Sequence, residues 1–405
     1  MNVPPVFSVI IPVYNNWSLT AACLRSLCEY SPEYAYEVII ADNGSTDDTA
    51  RELPVLGRSL FGERFHYIRF EENRNFGPAC NAGAARAKAP LLFFLNNDTL
   101  LTQGWAPPLV RALHEDSRLG AAGPLLLYED NTVQHLGIAF DVSGVEHLYR
   151  SFHRTHSVTA KRRRLQALTG AALMLPADIF NSLGGFHEAY MNGFEDIDLC
   201  LHIHATGKKL SCIAESVIYH LESRTPGRKD SDAGNARLLF QRCGHLYVPD
   251  KHILGLKDGF EPFINDAYSI GLGLKQEEAE ALGREAAGGS PEAWYALTRA
   301  NPFWVEGREY LADLFERRGQ KKDALFFLME NALLERRIAS CARFLKAAAL
   351  AREPDMLQFA EDLYGELDVK RTKKAQVTVA MRTMMERNDT VLGSLYMGVL
   401  QEYFS

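Results

Sequence analysis

Pro90-Leu91-Leu92-Phe93-Phe94-Leu95-Asn96-Asn97-Asp98-Thr99 is the stretch on which the fold turns. Five apolar residues run without a break into polar ones. A short apolar run bounded by polar residues, with a helix-like segment before it, reads as a buried parallel strand. Its polar end then lies at the carboxyl edge of the sheet, where open α/β sheets bind their ligands. A carboxylate there suits a hard divalent cation, and such a cation neutralises a diphosphate. The plainer alternative is an asparagine-rich turn after a core strand.

The residues upstream repeat the same unit. Phe7 to Val13 reads as a strand that ends near Pro12, which cannot donate to a ladder. Tyr14-Asn15-Asn16 is a turn and Ser18 to Cys28 a helix. Glu37 to Ala41 is a second strand, followed by Asp42, an Asn43-Gly44 turn and a Ser45/Asp48 pair that fits a capping box. Phe65 to Phe70 is a third strand, followed by Asn75-Phe76-Gly77 and an Ala-rich helix from Pro78 through Ala87. Alternating strand, polar loop and helix predicts parallel strands with right-handed crossovers. Tyr14, Asn15, Asp42, Asn75 and Asp98 then converge on one edge of one sheet.

The pattern loosens downstream of residue 120. Leu136 to Tyr149 suggests antiparallel strands, and Thr169 to Leu175 a buried strand whose small residues let a ligand approach the backbone. Lys161 to Arg164 is a basic run that reads as a solvated loop before a phosphate contact. Glu195, Asp196 and Asp198 open a helix running to about Ala205. Acids in a first turn complement the helix dipole, but the three cannot all point outward, so at least one faces the cleft. Val217 to His220 is a short strand. Residues 248–275 show no clear period and read as a linker packed on the first domain. From Gln276 the sequence is rich in Ala, Leu, Glu and Arg with helical spacing. Within it, Tyr310 to Phe315, Arg318-Gly319-Gln320 and Ala324 to Leu328 fit one tetratricopeptide-like unit, with a generic helical bundle as the alternative. The expected domains are therefore 1–250, a linker at 251–275 and an α-helical domain at 276–405.

The chain has 405 residues, 47% hydrophobic and 23% charged, which suffices for two or three domains. A net charge of -7 argues against a nucleic-acid binder driven by phosphate neutralisation. Seven scattered cysteines without a CxxC pair read as reduced, buried residues of a cytosolic protein. Neither a signal-peptide pattern nor an apolar run of about 20 residues is visible. The expectation is a cytoplasmic protein, with peripheral association at the inner membrane face left open.

Four motifs occur in order: Val9-Ile10-Ile11-Pro12-Val13-Tyr14-Asn15, Asp42-Asn43-Gly44-Ser45-Thr46-Asp47, Asn96-Asn97-Asp98-Thr99, and Glu195-Asp196-Ile197-Asp198 followed by His220. Over roughly residues 7–250 the chain resembles the inverting family 2 glycosyltransferases with a GT-A fold, an α/β class with a mixed, mostly parallel sheet. The run from Asn75-Phe76-Gly77 to Asn81-Ala82-Gly83 looks most like the rhamnosyltransferase-type branch. The resemblance implies a nucleoside-diphosphate sugar as donor. Pro12 and Tyr14 would wall its base and Asp42 accept the pyrimidine N3–H, whereas without the resemblance Asp42 reads as a turn aspartate. Asn15, Asn75, Gly77 and Asn97 fall where the family binds the nucleotide sugar. Asp98 and His220 would ligate Mn²⁺ or Mg²⁺, imidazole favouring Mn²⁺. Asn96 stands where many members carry the first acid of Asp-x-Asp, which removes one charge from the metal site.

One carboxylate suffices as general base for a single in-line displacement, which inverts the anomeric centre. Asp196 is the expected base and Glu195 binds the acceptor or orients Asp196, although the two roles are exchangeable. Glu222 to Asp232 would close as a lid, with Arg224 and Arg228 as candidate diphosphate contacts. The acceptor would be a glycan or lipid-linked molecule. A protein acceptor recognised through the helical tail is the second reading, and a catalytically silent nucleotide-sugar scaffold the third. The tail offers a surface for a protein partner or for a second copy of the chain.

Overall fold

The structure is a computed structural model that describes residues 3–142, 144–222, 232–371 and 374–404. It divides into two compact units: residues 1–139 with 146–247, and residues 140–145 with 248–405.

In the first unit the expected alternation is realised. β1 (Phe7–Val13), α1 (Trp17–Glu29), β2 (Tyr36–Asp42), α2 (Thr49–Phe61), β3 (Phe65–Arg69), α3 (Phe76–Ala84) and β4 (Leu91–Leu95) follow one another. Strands β3, β2, β1 and β4 are neighbours in that order and all parallel. Alternation along β1 separates its two faces. Val9, Ile11 and Val13 join Cys23, Leu24 and Leu27 of α1 in one core. On the other face Gly83 of α3 lies so close to Ile10 that a Cβ there would stand 2.5 Å from its Cγ2. The β4 aromatics divide likewise. Phe93 stacks on Trp105 at 4.9 Å, while Phe94 meets Phe180 and Phe186 at 4.9 and 4.8 Å. Burying each such ring contributes about 1.5–3 kcal/mol, which pins β4 at the centre of the sheet.

β5 (Thr99–Leu101), α4 (Ala106–Glu115), β6 (Leu119–Leu127), β7 (Val133–His135), β8 (Ile138–Phe140), β9 (Val145–His147), β10 (Ala172–Pro176), α5 (Ala177–Ser182), α6 (Glu195–Ala205), β11 (Lys209–His220) and α7 (Asp232–Cys243) complete this part of the chain. The sheet continues as β4-β10-β6-β11-β5, with β7 on β6. β10 runs antiparallel to β4 and β6, β11 is parallel to β6, and β5 is antiparallel to β11. This is the mixed, mostly parallel architecture with helices on both faces that the GT-A class implies.

The sequence reading is corrected at several points. β6 (LGAAGPLLL) is a fully buried central strand where a loosened pattern was expected. Gly and Pro suggest a break, but Gly123 allows the carbonyl of Ala172 within 3.3 Å of where a Cβ would stand. β11 begins at Lys209, eight residues earlier than the expected strand at Val217, across a register shift between Ile213 and Val217. The capping box is absent: α2 starts after Asp48, with no side-chain cap, and Ser45 Oγ accepts from Asn15 N at 2.8 Å.

In the second unit, α8 (Lys251–Asp258) and a hairpin of β12 (Glu261–Ile264) and β13 (Ile270–Gly273) occupy the stretch expected as a linker. Helices α9 (Gln276–Ala286), α10 (Pro291–Ala300), α11 (Val305–Arg317), α12 (Lys321–Glu335), α13 (Ile338–Ala351), α14 (Pro354–Arg371), α15 (Lys374–Glu386) and α16 (Thr390–Phe404) follow, as the helical spacing predicts. Leu311, Leu325, Leu328 and Phe344 share one core, and Trp294 stacks on Tyr310 at 3.8 Å. The hairpin packs separately with the last helices, through Ile264, Ile270, Leu392 and Tyr396.

One polar contact anchors α6 beneath the sheet edge. Asp198, almost fully buried, accepts from Arg242 Nε of α7 at 2.6 Å and from Tyr190 OH at 2.8 Å. Burial raises its pKa, but the hydrogen bonds from Arg242 and Tyr190 outweigh that and hold the carboxyl below its ordinary value. A depressed folded-state pKa stabilises above the unfolded carboxyl value of about 4, and the contribution is lost as pH falls through the lower folded value. Asp198→Asn is expected to destabilise by about 3 kcal/mol at pH 7. In urea melts that difference shrinks as pH drops below about 4; an equal difference at all pH values would contradict the ionised pair.

Candidate active site

The sheet order gathers the polar loops physically. The carboxyl ends of parallel β1, β2, β4 and β11 share an edge with the amino end of antiparallel β10. Asn96 N accordingly donates to Ala171 O at 2.9 Å. A cavity of about 510 Å³ opens at this edge, a size that suits a small ligand. Pro12, Tyr14, Asn75, Asn97, Asp98, Glu195, Asp196 and His220 all line it.

Three residues of the expected set are not among its lining. Asn15 joins two loops instead, its Oδ1 accepting from Thr46 N and Asp47 N at 2.8 and 3.3 Å. Gly77 is buried in the first turn of α3. Asp42 is fully buried: Oδ1 accepts from Ser45 N at 2.8 Å, and Oδ2 from Tyr67 OH at 2.6 Å and Arg69 Nη1 at 2.7 Å. Asn75 sits at φ 70°, ψ -179°, a conformation that side chains rarely adopt. It is held there by Asn43 Nδ2 on its carbonyl at 2.9 Å and Asn192 Nδ2 on its Oδ1 at 3.1 Å. Asn97 donates to Thr20 Oγ1 at 2.8 Å, tying the β4 loop to α1. Arg224 and Arg228 lie outside the described residues. In the basic run, Arg162 pairs with exposed Glu215, away from the cavity lining.

The acids that open α6 divide by role. Phe194 takes a left-handed conformation at φ 74°, so the helix starts at the cavity wall. Asp196 Oδ2 accepts from Gly170 N at 2.7 Å, Oδ1 accepts from Ile197 N at 2.9 Å, and Glu195 Oε2 accepts from Gly193 N at 2.7 Å. The small residues before β10 thus serve Asp196: a Cβ on Gly170 would stand 3.2 Å from the Asp196 Cβ. Asp198 points away, into its pair with Arg242.

Asp98 and His220 are joined by backbone pairing. β5 follows Asp98 directly and pairs with β11, placing His220 opposite Thr99, and Leu221 N donates to Asp98 O at 2.9 Å. Asp98 Oδ1 and His220 Nε2 are 3.1 Å apart, on side chains only 8 and 10% exposed. Two cis ligands about 2.1 Å from an octahedral cation are about 3 Å apart. A carboxylate and an imidazole at this spacing therefore fit one Mn²⁺ or Mg²⁺. A second trio, Asp198, His202 and Cys243, brings its ligand atoms within 4.8 Å of one another. The Arg242 guanidinium already occupies both Asp198 oxygens, which makes that trio an ion-paired brace.

The cavity also contains residues that spacing did not single out: Gln134, His147, Arg150 and Asn192. His147 Nδ1 faces His135 Nδ1 at 2.9 Å. Burial, with His147 and His220 nearby, holds His135 well below its ordinary pKa, so it is neutral. No periodicity marks these residues, because their partners come from distant segments.

Residues 8–159 match the family described as Glycosyl transferase family 2. The uncharacterized protein y4gI of Sinorhizobium fredii is 29% identical over 241 residues, 58% of this chain and 26% of that protein. The O-antigen biosynthesis protein RfbC of Myxococcus xanthus is 28% identical over 226 residues, 54% of this chain and 17% of that protein. The chain thus spans about a quarter or less of these two relatives. An N-acetylglucosaminyl-diphospho-decaprenol L-rhamnosyltransferase of Mycobacterium tuberculosis is 23% identical over 273 residues, 61% of this chain and 85% of that enzyme. Among solved structures, GalNAc-T7 with UDP, GalNAc and Mn²⁺ aligns at a TM-score of 0.47 and 21% identity, covering 55% of this chain and 45% of that one. Among the described residues no helix is long and apolar enough to cross a membrane. With its motifs gathered at one sheet edge, the chain matches the family 2 glycosyltransferase model along its N-terminal part, the domain that holds this cavity.

Proposed function

We propose that this domain is a divalent-cation-dependent, inverting glycosyltransferase that moves a sugar from a UDP- or dTDP-linked donor to a hydroxyl of a glycan or lipid-linked acceptor in bacterial surface polysaccharide synthesis. The observation that carries the reading is a single cavity lined both by the Asp98–His220 pair and by Glu195 and Asp196. The first pair suits a cation on a diphosphate, and the second can accept a proton. The names of the Myxococcus and Mycobacterium relatives support the acceptor class.

Pro12 and Tyr14 wall the base, and Asn75 and Asn97 contact the nucleotide sugar. Asp98 and His220 hold the cation, which when bound supplies Lewis-acid stabilisation of the leaving diphosphate. Asp196 takes the proton of the acceptor hydroxyl as it attacks the anomeric carbon, leaving inverted product and nucleoside diphosphate. Hydrogen bonds from Gly170 N and Ile197 N orient its carboxylate. Glu195 binds the acceptor beside it. Asp42 shapes the base site from beneath, through Arg69 and the Ser45 loop. Direct acceptance of a base N3–H would require the fully buried Asp42 carboxylate, with Arg69 at 2.7 Å, to become accessible. A protein acceptor is the second reading. It is supported by the consecutive packed helices of the second unit, a kind of array that offers an extended binding surface.

A panel of UDP-, dTDP- and GDP-sugars with Mn²⁺, Mg²⁺ or EDTA tests the assignment by release of nucleoside diphosphate. Metal-dependent release from one donor, abolished in Asp98→Ala, is the expected result. Absence of nucleotide binding under every condition overturns the enzyme reading. With acceptor present, Asp196→Asn is expected to lower kcat by about 10²- to 10⁴-fold with donor binding preserved. Gly170→Ala, whose Cβ would crowd both Asp196 and the Phe76 ring at 3.3 Å, should reduce kcat while leaving donor KM unchanged. An altered donor KM with normal kcat would move Asp196 out of the base role.

A further inference from the structure

We infer that Gln134 is a positioning residue for the cation site: it fixes the tautomer and the ring plane of His220 so that Nε2 presents a lone pair beside Asp98. This rests on the assignment of Asp98 and His220 as ligands. Gln134 lies on β7, which pairs with β6 and not with β11, so it reaches His220 through its own side chain and not through strand pairing. It is 5% exposed and lines the cavity. Its Nε2 donates to the carbonyl of His220 at 3.1 Å and its Oε1 stands 2.6 Å from His220 Nδ1.

These two contacts determine each other. A backbone carbonyl can only accept, so the amide nitrogen must face it. The amide oxygen is thereby turned to Nδ1, and since it too can only accept, Nδ1 carries the proton. In the neutral ring Nε2 then carries the lone pair. Asn96 agrees independently: its Nδ2, which can only donate, lies 3.4 Å from His220 Nε2. Nε2 and Asp98 Oδ1 lie 3.1 Å apart, and with the proton on Nδ1 both atoms offer electron pairs that one cation can accept. A ligating histidine whose second nitrogen is held by a fixed acceptor keeps its ring aimed before the metal arrives, and loss of such an acceptor typically weakens metal binding by about 10- to 100-fold.

The test is Mn²⁺ titration of the full chain, reading free Mn²⁺ by electron paramagnetic resonance, with thermal melting in EDTA as a folding control. Gln134→Leu, apolar and unable to accept, should bind Mn²⁺ about 10- to 100-fold more weakly. Gln134→Glu, which retains an acceptor for Nδ1, should recover most of that loss. In a His220→Ala background Gln134→Leu should have no further effect. A folded Gln134→Leu protein that binds within twofold of the parent, or a Gln134 effect that persists without His220, overturns the inference alone. If the parent chain does not bind Mn²⁺, or His220→Ala leaves its affinity unchanged, the ligand assignment itself fails and the inference with it.

Discussion

The antiparallel pairing of β5 with β11 is the constraint on which the site depends. It sets His220 opposite Thr99 and lets Leu221 N close on Asp98 O, so two side chains more than a hundred residues apart meet at 3.1 Å. Side chains alternate across a sheet, and a slip of one residue would turn His220 to the opposite face. The register is secured from both sides of β11. Parallel pairing with β6 holds its length, and Thr102 Oγ1 on Val217 O at 2.7 Å clamps the end of β5. The register shift between Ile213 and Val217 is absorbed before the functional end. Irregularity in the strand therefore does not reach Asp98 and His220.

A second feature is the backbone around the cavity. Asn16, Asn75, Asn192, Phe194 and Glu222 line it, and all have positive φ. Each such residue costs about 1–3 kcal/mol and persists only where its surroundings over-determine it. Asparagine tolerates the left-handed region best, because its short amide can bond nearby backbone. Here the amides bond across segments as a linked set: Asn43 Nδ2 donates to Asn75 O, Asn192 Nδ2 donates to Asn75 Oδ1, and Asn192 Oδ1 accepts from Phe76 N at 2.9 Å. The asparagine richness of the loops is thus structural: the side chains rigidify the rim that the nucleotide would meet. Phe194 has no such amide, and the helix it launches supplies the holding force. Asp198 locks that helix to α7 through Arg242, at the far side from Asp196.

How much of this was legible follows from which interactions are local. The run from Phe7 to Leu95 could be read because apolar strands, polar loops and helices alternate at short range. The strands β1, β2 and β4 then appear within a residue or two of where the pattern puts them. β6 was hidden because its glycines and Pro124 mimic breakers, whereas Gly123 permits the close approach of β10 and Gly120 that of Ile203. The start of β11 was hidden because Ser211, Glu215 and Ser216 interrupt its apolar pattern near the register shift. The Ser45/Asp48 spacing suggested a capping box, but Ser45 Oγ is used by Asn15, a partner no local window contains. Gln134 carried no signal for the same reason, since its partner lies 86 residues along the chain.

The distribution of acids gives the same lesson in chemical terms. Asp42, Asp98, Glu195, Asp196 and Asp198 all occur in motif-like surroundings, so composition cannot rank them. The cations beside them can. Asp42 and Asp198 each hold a guanidinium at 2.7 and 2.6 Å. A carboxylate so paired is a poor base and a poor metal ligand, because a proton or a cation must first displace the arginine. Asp196 instead receives backbone N–H groups, which aim it without competing for its charge. Asp98 faces an imidazole whose orientation is set from behind. The braced acids hold the loops and the helix in place, and the aimed ones face the cavity, so bracing and the proposed chemistry fall to different carboxylates of the same sheet edge.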